Sequence, residues 1–444
     1  MSVYLKQDEP DNANRLDNMR QGVLGTDASR IEGLLKVTGT APYAAEYQLD
    51  DCLEGVIVTA TIPKGEVTRI DADSVLSMPG VVTVIDDPAL IARPAQGTAG
   101  EAPEQPARKV GYFGQPIALV VAETFEQARD AAKHLSVSYR EDDDAAFDPE
   151  AVEAETKDGA TSQGDLAHAM KVAAASVDQT YRTEGHSSAA MEPHAAIAQW
   201  DGDTLTVYAS LQMLNYNISE LADSLGLDED KVRLVSRYVG GGFGSKLGIS
   251  EETVAASVAA MKLERPVRVA MLRQQVLQCI MRRSETTQKL RLASDEEGKL
   301  DGFAHHALVS NLPGEEFAEP VLQSSHFLYG GDNRQLKLEV ARIHRMTAGS
   351  VRAPGEAVGM PALEVAMDML AEKSGVDPVE LRLRNIPDRN PEEDLPFSSH
   401  KLADCLRQGA EKFGWDSGPR KPRQQRDGEW ASYGQLLVET AVGP

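Results

Sequence analysis

Residues 235–248 read VSRYVGGGFGSKLG, with glycine at 240, 241, 242 and 244. A run of positions without side chains lets a backbone come very close to a bound group and aim its N–H groups at it. A structural turn needs one or two glycines, so four in five positions point to a cradle. The spacing excludes two common cradles. Counted from Gly240, Ser245 stands where a P-loop has its second glycine, and Leu247 stands where it has its magnesium-binding hydroxyl. Ser245 also replaces the third glycine of the dinucleotide fingerprint. Both counts argue against a nucleoside triphosphate or NAD site.

Two other stretches carry groups suited to chemistry. AAMEPHAAIA holds Glu192 and His194 two residues apart beside an apolar strand, so both side chains share one face. They suit either an acid–base pair or structural hydrogen bonds. GSVRAPGEAVGMPALE puts Arg352 in a Gly/Pro-rich turn before a helix, where a cation and a helix N-terminus could meet an anion. No GxSxG elbow and no HExxH occur. Cys52, Cys279 and Cys405 are too far apart for a zinc or iron–sulfur pattern and read as buried free thiols. His305 and His306 form the one adjacent histidine pair. No metal ligated by protein side chains is expected.

These residues need elements to hold them. Val232, Leu234 and Val235 form an apolar strand before the glycines, and ISEETVAASVAAMKL reads as the helix after them. Residues 26–140 read as one α/β unit: GVIVTATI is a strand, and PIALVVAETFEQARDAAKHLSVSY is strand, helix, strand. Thr124 caps that helix with Gln127, and Ala128, Ala131, Ala132 and Leu135 form its apolar face. Residues 146–168 are acidic and poor in large apolar groups, as expected of a linker over the surface. Beyond it, AAIAQWDGDTLTVYAS and LRLASDEEGKLDGFAHHALVS alternate around turn residues and predict hairpins. EAVGMPALEVAMDMLAEKSG switches to helical period, with Met360, Leu363, Ala366, Met367 and Leu370 on one face and Gly375 as its stop. Asp377 then caps a helix with Pro378 first and Glu380 as partner. The mixture is α+β.

The chain has 444 residues, 41% hydrophobic and 26% charged, as in an ordinary globular protein. Its formal charge of −24 argues against a nucleic-acid partner. No apolar run approaches the ~18 residues that span a bilayer. The polar start, MSVYLKQDEPDNANRLDNMRQG, lacks the core of a secretory signal, so a tail over 1–25 and a cytoplasmic location are expected. Export together with a signal-bearing partner subunit is compatible with the same reading.

Taken in order, RIEGLLKVTGTAPYAAEY, YFGQPIALVVAETFEQA, AAMEPHAAIAQWDGDTLTVYASLQ, VGGGFGSK and VRAPGEAVGMPALEVAMD with VDPVELRLRN resemble motifs of the molybdopterin-binding large subunit of the xanthine dehydrogenase/aldehyde oxidase family. The style is most similar to bacterial aldehyde oxidoreductases. The resemblance implies a hammerhead α/β domain over 26–145, the linker over 146–168, and the first lobe of a molybdopterin cofactor-binding domain over 169–444. It implies a molybdenum cofactor, as molybdopterin cytosine dinucleotide, and oxidative hydroxylation of aldehydes or N-heterocycles. Electrons would pass to 2Fe-2S and FAD groups on partner subunits, since three cysteines cannot hold the clusters.

By resemblance, Gln212, Gly241, Gly242, Phe243, Gly244, Arg352 and Ala353 bind the cofactor, and Leu247 and Pro354 face the substrate pocket. Xanthine-active members of the family carry glutamate directly after the loop lysine. Leu247 there implies an apolar aldehyde rather than a purine. The family's general-base glutamate sits in a GxGE-type motif near the end of a longer chain. No such motif occurs here, so no catalytic side chain is assigned and the second lobe is expected to be missing. The strand-like ending ASYGQLLVETAVGP leads to the expectation of a truncated subunit, with a non-catalytic remnant as the alternative.

Overall fold

The computed structural model describes residues 27–90, 108–157 and 159–415, together with two short strands, Gln425–Arg426 and Glu429–Trp430. The tail expected over 1–25 and the ending at 431–444 lie outside the described residues.

Pro116–Ala122, sequence PIALVVA, is apolar on both faces and therefore becomes an interior strand, buried at every position. Leu119 and Val121 enter one core, Ala118 and Val120 another. It lies in a seven-stranded sheet ordered Val232–Val235, Leu205–Ala209, Ala195–Trp200, Val267–Ala270, Leu53–Thr59, Pro116–Ala122, Val81–Ile85. The sheet crosses from the N-terminal unit to the later one: Leu53–Thr59 pairs in parallel with Val267–Ala270. Helix Glu251–Leu263 is small-residue-rich and is buried along most of its length against this sheet. Helix Phe125–His134 covers the other side through Ala128 and Ala131. Its expected capping box is present: Gln127 N–H donates to Thr124 Oγ1 at 3.3 Å, and Thr124 N–H to Gln127 Oε1 at 3.0 Å.

The second sheet runs Ala154–Thr156, Asn333–Arg342, Leu300–Asn311, Thr286–Ser294, Ala175–Thr183. Helix Glu356–Ser374 packs on it with Leu363, Ala366, Met367 and Leu370 buried, and Gly375 ends it at φ 71°. Asp377 caps the next helix, Pro378–Asn385, by accepting the N–H groups of Val379 and Glu380. Both expected hairpins form. In the first, Asp201 accepts from Asp203 and Thr204 N–H and so fixes the turn. The architecture is α+β, as expected.

The acidic stretch 146–168 does not cross the surface as a free linker. Ala154–Thr156 and Thr161–Gln163 pair along Asn333–Arg342. Edge strands face water on one side, so a polar composition does not bar pairing. The thiols also differ from expectation. All three are free, but only Cys279 is buried, while Cys52 is half-buried and Cys405 is exposed. Cys405 lies on helix Leu402–Phe413, of which only Leu406 is buried. His305 is buried between Gln288 Oε1 at 3.1 Å and Ser325 Oγ at 2.8 Å, and burial brings its pKa down to about 3. It is a neutral structural group.

Candidate active site

The strands Leu205–Ala209 and Val232–Val235 run parallel, with Tyr208 opposite Val235. Just past their carboxyl ends lie Ser210, Gln212 and the glycine loop. The antiparallel strand Ala195–Trp200 starts at the same edge, bringing Glu192 and His194 there. Ligands of open α/β sheets collect at such an edge because the chain leaves the sheet in turns with uncommitted backbone groups.

Glu192 anchors the loop at both ends. Its Oε2 accepts from Gly240 N–H at 2.6 Å, Ser210 Oγ at 2.6 Å and Lys246 Nζ at 2.9 Å. Lys246 is fully buried, and a buried ammonium persists only where a carboxylate and further acceptors meet it. Burial alone would raise the Glu192 pKa. The hydrogen bonds from Ser210, Lys246 and Gly240 outweigh it and hold the carboxyl below its ordinary range. His194 takes no part in this pair. Its Nε2 faces Ser245 O at 3.0 Å, which fixes a proton there, and burial lowers its pKa to about 4. Of the two readings of Glu192 and His194, structural hydrogen bonding is the one observed.

Gln212 reaches across the loop. Its Oε1 accepts from Gly244 N–H at 3.1 Å and Lys246 N–H at 3.3 Å. A Cβ at Gly242 would stand 2.2 Å from Gln212 Oε1, and one at Gly244 would stand 1.9 Å from Ser350 O. These two glycines are required for close approach of side chain and backbone within the protein itself. Phe243, between them, is half-exposed at 46% and has φ 53°, in the left-handed region. Among the described residues, no protein acceptor pairs with the N–H groups of Gly241, Gly242 and Phe243.

The turn at 351–355 docks onto this loop. Arg352 N–H donates to Phe243 O at 2.8 Å. Ala353 is also left-handed, at φ 55°. The turn is gripped from below by Arg283, which donates to Val351 O at 2.8 Å, to Arg352 O and to Ala353 O at 3.3 Å. Arg283 pairs with Glu319 at 2.6 Å, and Glu319 Oε1 also accepts from Gly355 N–H at 2.7 Å. Arg352 itself is exposed and makes no ion pair among the described residues.

The structure thus places Gln212, Gly241, Gly242, Phe243, Gly244, Arg352 and Ala353 together at one sheet edge. Leu247 follows the loop, half-buried, with its N–H on Gly244 O at 3.2 Å and its C=O accepting from Asn217 Nδ2 at 2.7 Å. Pro354 lies half-buried in the turn. Sequence reasoning missed Ser210, Arg283 and Glu319, and it quoted Lys246 without a role. A lysine just after a glycine motif was the one available signal. Arg283 and Glu319 sit in charged stretches, MRRSE and GEEFAEP, that look like solvated surface.

Most of the chain resembles known proteins. Residues 148–386 match the molybdopterin cofactor-binding domain family, and residues 38–143 match the a/b hammerhead domain of aldehyde oxidase and xanthine dehydrogenase. The chain is 40% identical over 438 residues to the aldehyde oxidoreductase molybdenum-binding subunit PaoC of Escherichia coli (strain K12), covering 96% of this chain and 59% of that protein. It is 30% identical over 421 residues to the aldehyde oxidoreductase of Megalodesulfovibrio gigas, covering 87% of this chain and 46% of the relative. The solved aldehyde oxidoreductase from Desulfovibrio gigas superposes with TM-score 0.78 at 27% identity, over 88% of this chain and 46% of that one. Quinoline 2-oxidoreductase from Pseudomonas putida 86 shares the fold, with TM-score 0.78 at 21% identity, over 88% of this chain and 54% of that one. The chain therefore spans between 46% and 59% of the length of these proteins.

Proposed function

The chain belongs to the aldehyde oxidase and xanthine dehydrogenase family, and on that premise we propose that it provides the first part of a molybdenum-cofactor site for aldehyde oxidation. The observation that carries this is the loop at 240–244: a run at a sheet edge in which only Phe243 is exposed, with three N–H groups free of protein acceptors among the described residues. Backbone N–H groups in such a concavity suit an anionic or oxo-bearing group without a protein-side-chain metal ligand. The residues present fit that group, because the N–H groups of Gly241, Gly242 and Phe243 meet no protein acceptor among the described residues.

When bound, the molybdenum cofactor supplies the two-electron chemistry that converts an aldehyde to a carboxylic acid. The chain's own residues bind and orient. Gly241, Gly242 and Phe243 would offer N–H donors, and Gln212 would close the loop from the side. Arg352 and Ala353 would present backbone beside it, with Pro354 at the substrate side. Glu192 and Lys246 keep the loop ends fixed, so the donors need no rearrangement on binding. No general base is assigned among these residues. Leu247 has both backbone groups committed and offers only an apolar side chain to substrate. A purine edge left unpaired there would lose ~1–3 kcal/mol per buried polar group. The substrate class that fits is an apolar or aromatic aldehyde.

Relatives named as molybdenum-binding or large subunits support an assembly with iron–sulfur and FAD subunits. The cofactor in its cytosine dinucleotide form and a cytoplasmic location complete the reading. Among the described residues, no helix is long and apolar enough to cross a membrane.

The test is co-expression of the chain with iron–sulfur and flavin subunits and with the part of its relatives' length that it does not span. Molybdenum is measured by mass spectrometry, and dye-coupled turnover is compared for benzaldehyde and xanthine. Molybdenum with preferential benzaldehyde turnover is expected. Xanthine turnover of equal efficiency would refute the substrate class. Full subunit assembly without molybdenum would refute the function and favour the non-catalytic alternative.

A further inference from the structure

We propose that Arg283 and Glu319 are positioning residues that set the shape of the glycine loop from a distance, through the turn at 351–355. The inference rests on the proposed function for its purpose, but its geometry stands alone. Arg283 is 3% exposed and Glu319 0%, so neither belongs to the surface their sequence context suggests. One guanidinium donates to three successive carbonyls, those of Val351, Arg352 and Ala353. A planar fork with five donors can do this, whereas an ammonium on a flexible stem cannot hold three carbonyls and a carboxylate in one plane. Glu319 closes the ring by accepting from Arg283 and from Gly355 N–H.

The turn so held contains Ala353 in the left-handed region, where alanine does not rest without help. With its carbonyls fixed on one side, Arg352 turns its N–H to the other and donates to Phe243 O. Phe243 is the second left-handed non-glycine residue of the site. Gly244 follows it, packed so tightly on Ser350 that no Cβ fits. The order of support is therefore Glu319, Arg283, turn, glycine loop. Glu192 and Lys246 hold the ends of the loop, and the Arg283 ring holds its middle. Arg283 lies in a two-stranded ribbon, His186–Ser187 with Arg282–Arg283, that leads into strand Thr286–Ser294 of the second sheet, and Phe243 lies beyond the first sheet, so the device links the two at the site.

Hydrogen exchange read by mass spectrometry on the full chain, without cofactor, tests this. Arg283→Lys is compared with Arg382→Lys. The latter perturbs another buried pair, Arg382–Glu364 at 2.7 Å, which joins helix Pro378–Asn385 to helix Glu356–Ser374. In R283K, peptides covering 236–250 and 343–356 are expected to exchange on the order of tenfold faster or more, with strands Thr286–Ser294 and Leu300–Asn311 unchanged. R382K is expected to leave 236–250 at wild-type protection. Should R283K fail to fold, Glu319→Gln keeps the side-chain shape and is expected to show a smaller increase confined to the same two peptides. Unchanged protection at 236–250 in the folded variants would overturn the proposal. So would an increase spread evenly over the strands, or one equalled by R382K. Because no cofactor is present, this result is independent of the molybdenum and aldehyde measurements, which test the function.

Discussion

Replacing Gly244 with alanine tests whether the glycine loop is shaped by contact with the turn rather than by local flexibility. Gly244 has φ 100°, which alanine adopts only with strain of ~1–3 kcal/mol. The new Cβ would stand 1.9 Å from Ser350 O and 3.0 Å from Val351 Cα, where ordinary contact begins at 3.4 Å. Backbone carbonyls cannot swing aside as a side chain does, so loop and turn must separate by about 1.5 Å. That opens the 2.8 Å bond from Arg352 N–H to Phe243 O, at a further cost of ~1 kcal/mol. Strain, lost hydrogen bond and lost packing come to ~3–4 kcal/mol. At a urea slope of ~3 kcal/mol per molar, the midpoint by circular dichroism falls by ~1 M. The control is Gly226→Ala. Gly226 has φ 66° at a helix end, with nothing within 4 Å of a built Cβ. It should cost only ~1 kcal/mol. A Gly244→Ala shift no larger than that of Gly226→Ala would refute the argument.

Two further outcomes follow from the buried charges. Lys246→Met leaves Glu192 without its cation and should cost up to ~3–5 kcal/mol in urea unfolding at pH 7. Because the folded pKa of Glu192 is depressed, its contribution is present above its unfolded value and is lost as pH falls through the folded one. Without Lys246 that depression is lost, so the stability deficit of Lys246→Met should be largest near pH 7 and narrow as pH falls through the acid range, and a deficit independent of pH would count against the pair. Glu252 behaves oppositely. It is buried, its carboxyl accepts from Thr253 Oγ1 at 3.0 Å, and burial raises its pKa to about 7. A raised folded pKa gives stability that is whole below the unfolded value and declines as pH rises toward 7. Glu252→Gln should lose relative stability at pH 5 and regain it by pH 8, a swing of ~3 kcal/mol. A pH-independent difference between the two proteins would show that Glu252 is ionised throughout.

Much of the secondary structure was legible because its signals are local. Thr124 with Gln127, Asp377 before Pro378, and Asp201 before Gly202 each satisfy backbone N–H groups within a few residues. The apolar face of helix Glu356–Ser374 followed from its period, and the all-apolar strand Pro116–Ala122 from its composition. The linker expectation failed for the complementary reason. Edge strands such as Ala154–Thr156 need a partner's backbone more than apolar side chains of their own, and that partner lies almost two hundred residues away.

What the sequence by itself determined was that a backbone must approach something closely at 240–244, and that the approach differs from a nucleotide cradle. Glycine spacing is enough for that, since the absence of Cβ atoms is a property of the residues alone. Only the tertiary structure decided what the approach is made of. It paired Leu53–Thr59 with Val267–Ala270 so that one sheet carries both units, and it brought Glu192 onto Lys246. It placed Ser350 against Gly244 and buried Arg283 with Glu319 under a turn seventy residues further on. No local pattern marks such residues. A buried arginine and a surface arginine read alike in sequence, and the difference lies in the carbonyls that other parts of the chain bring to meet it.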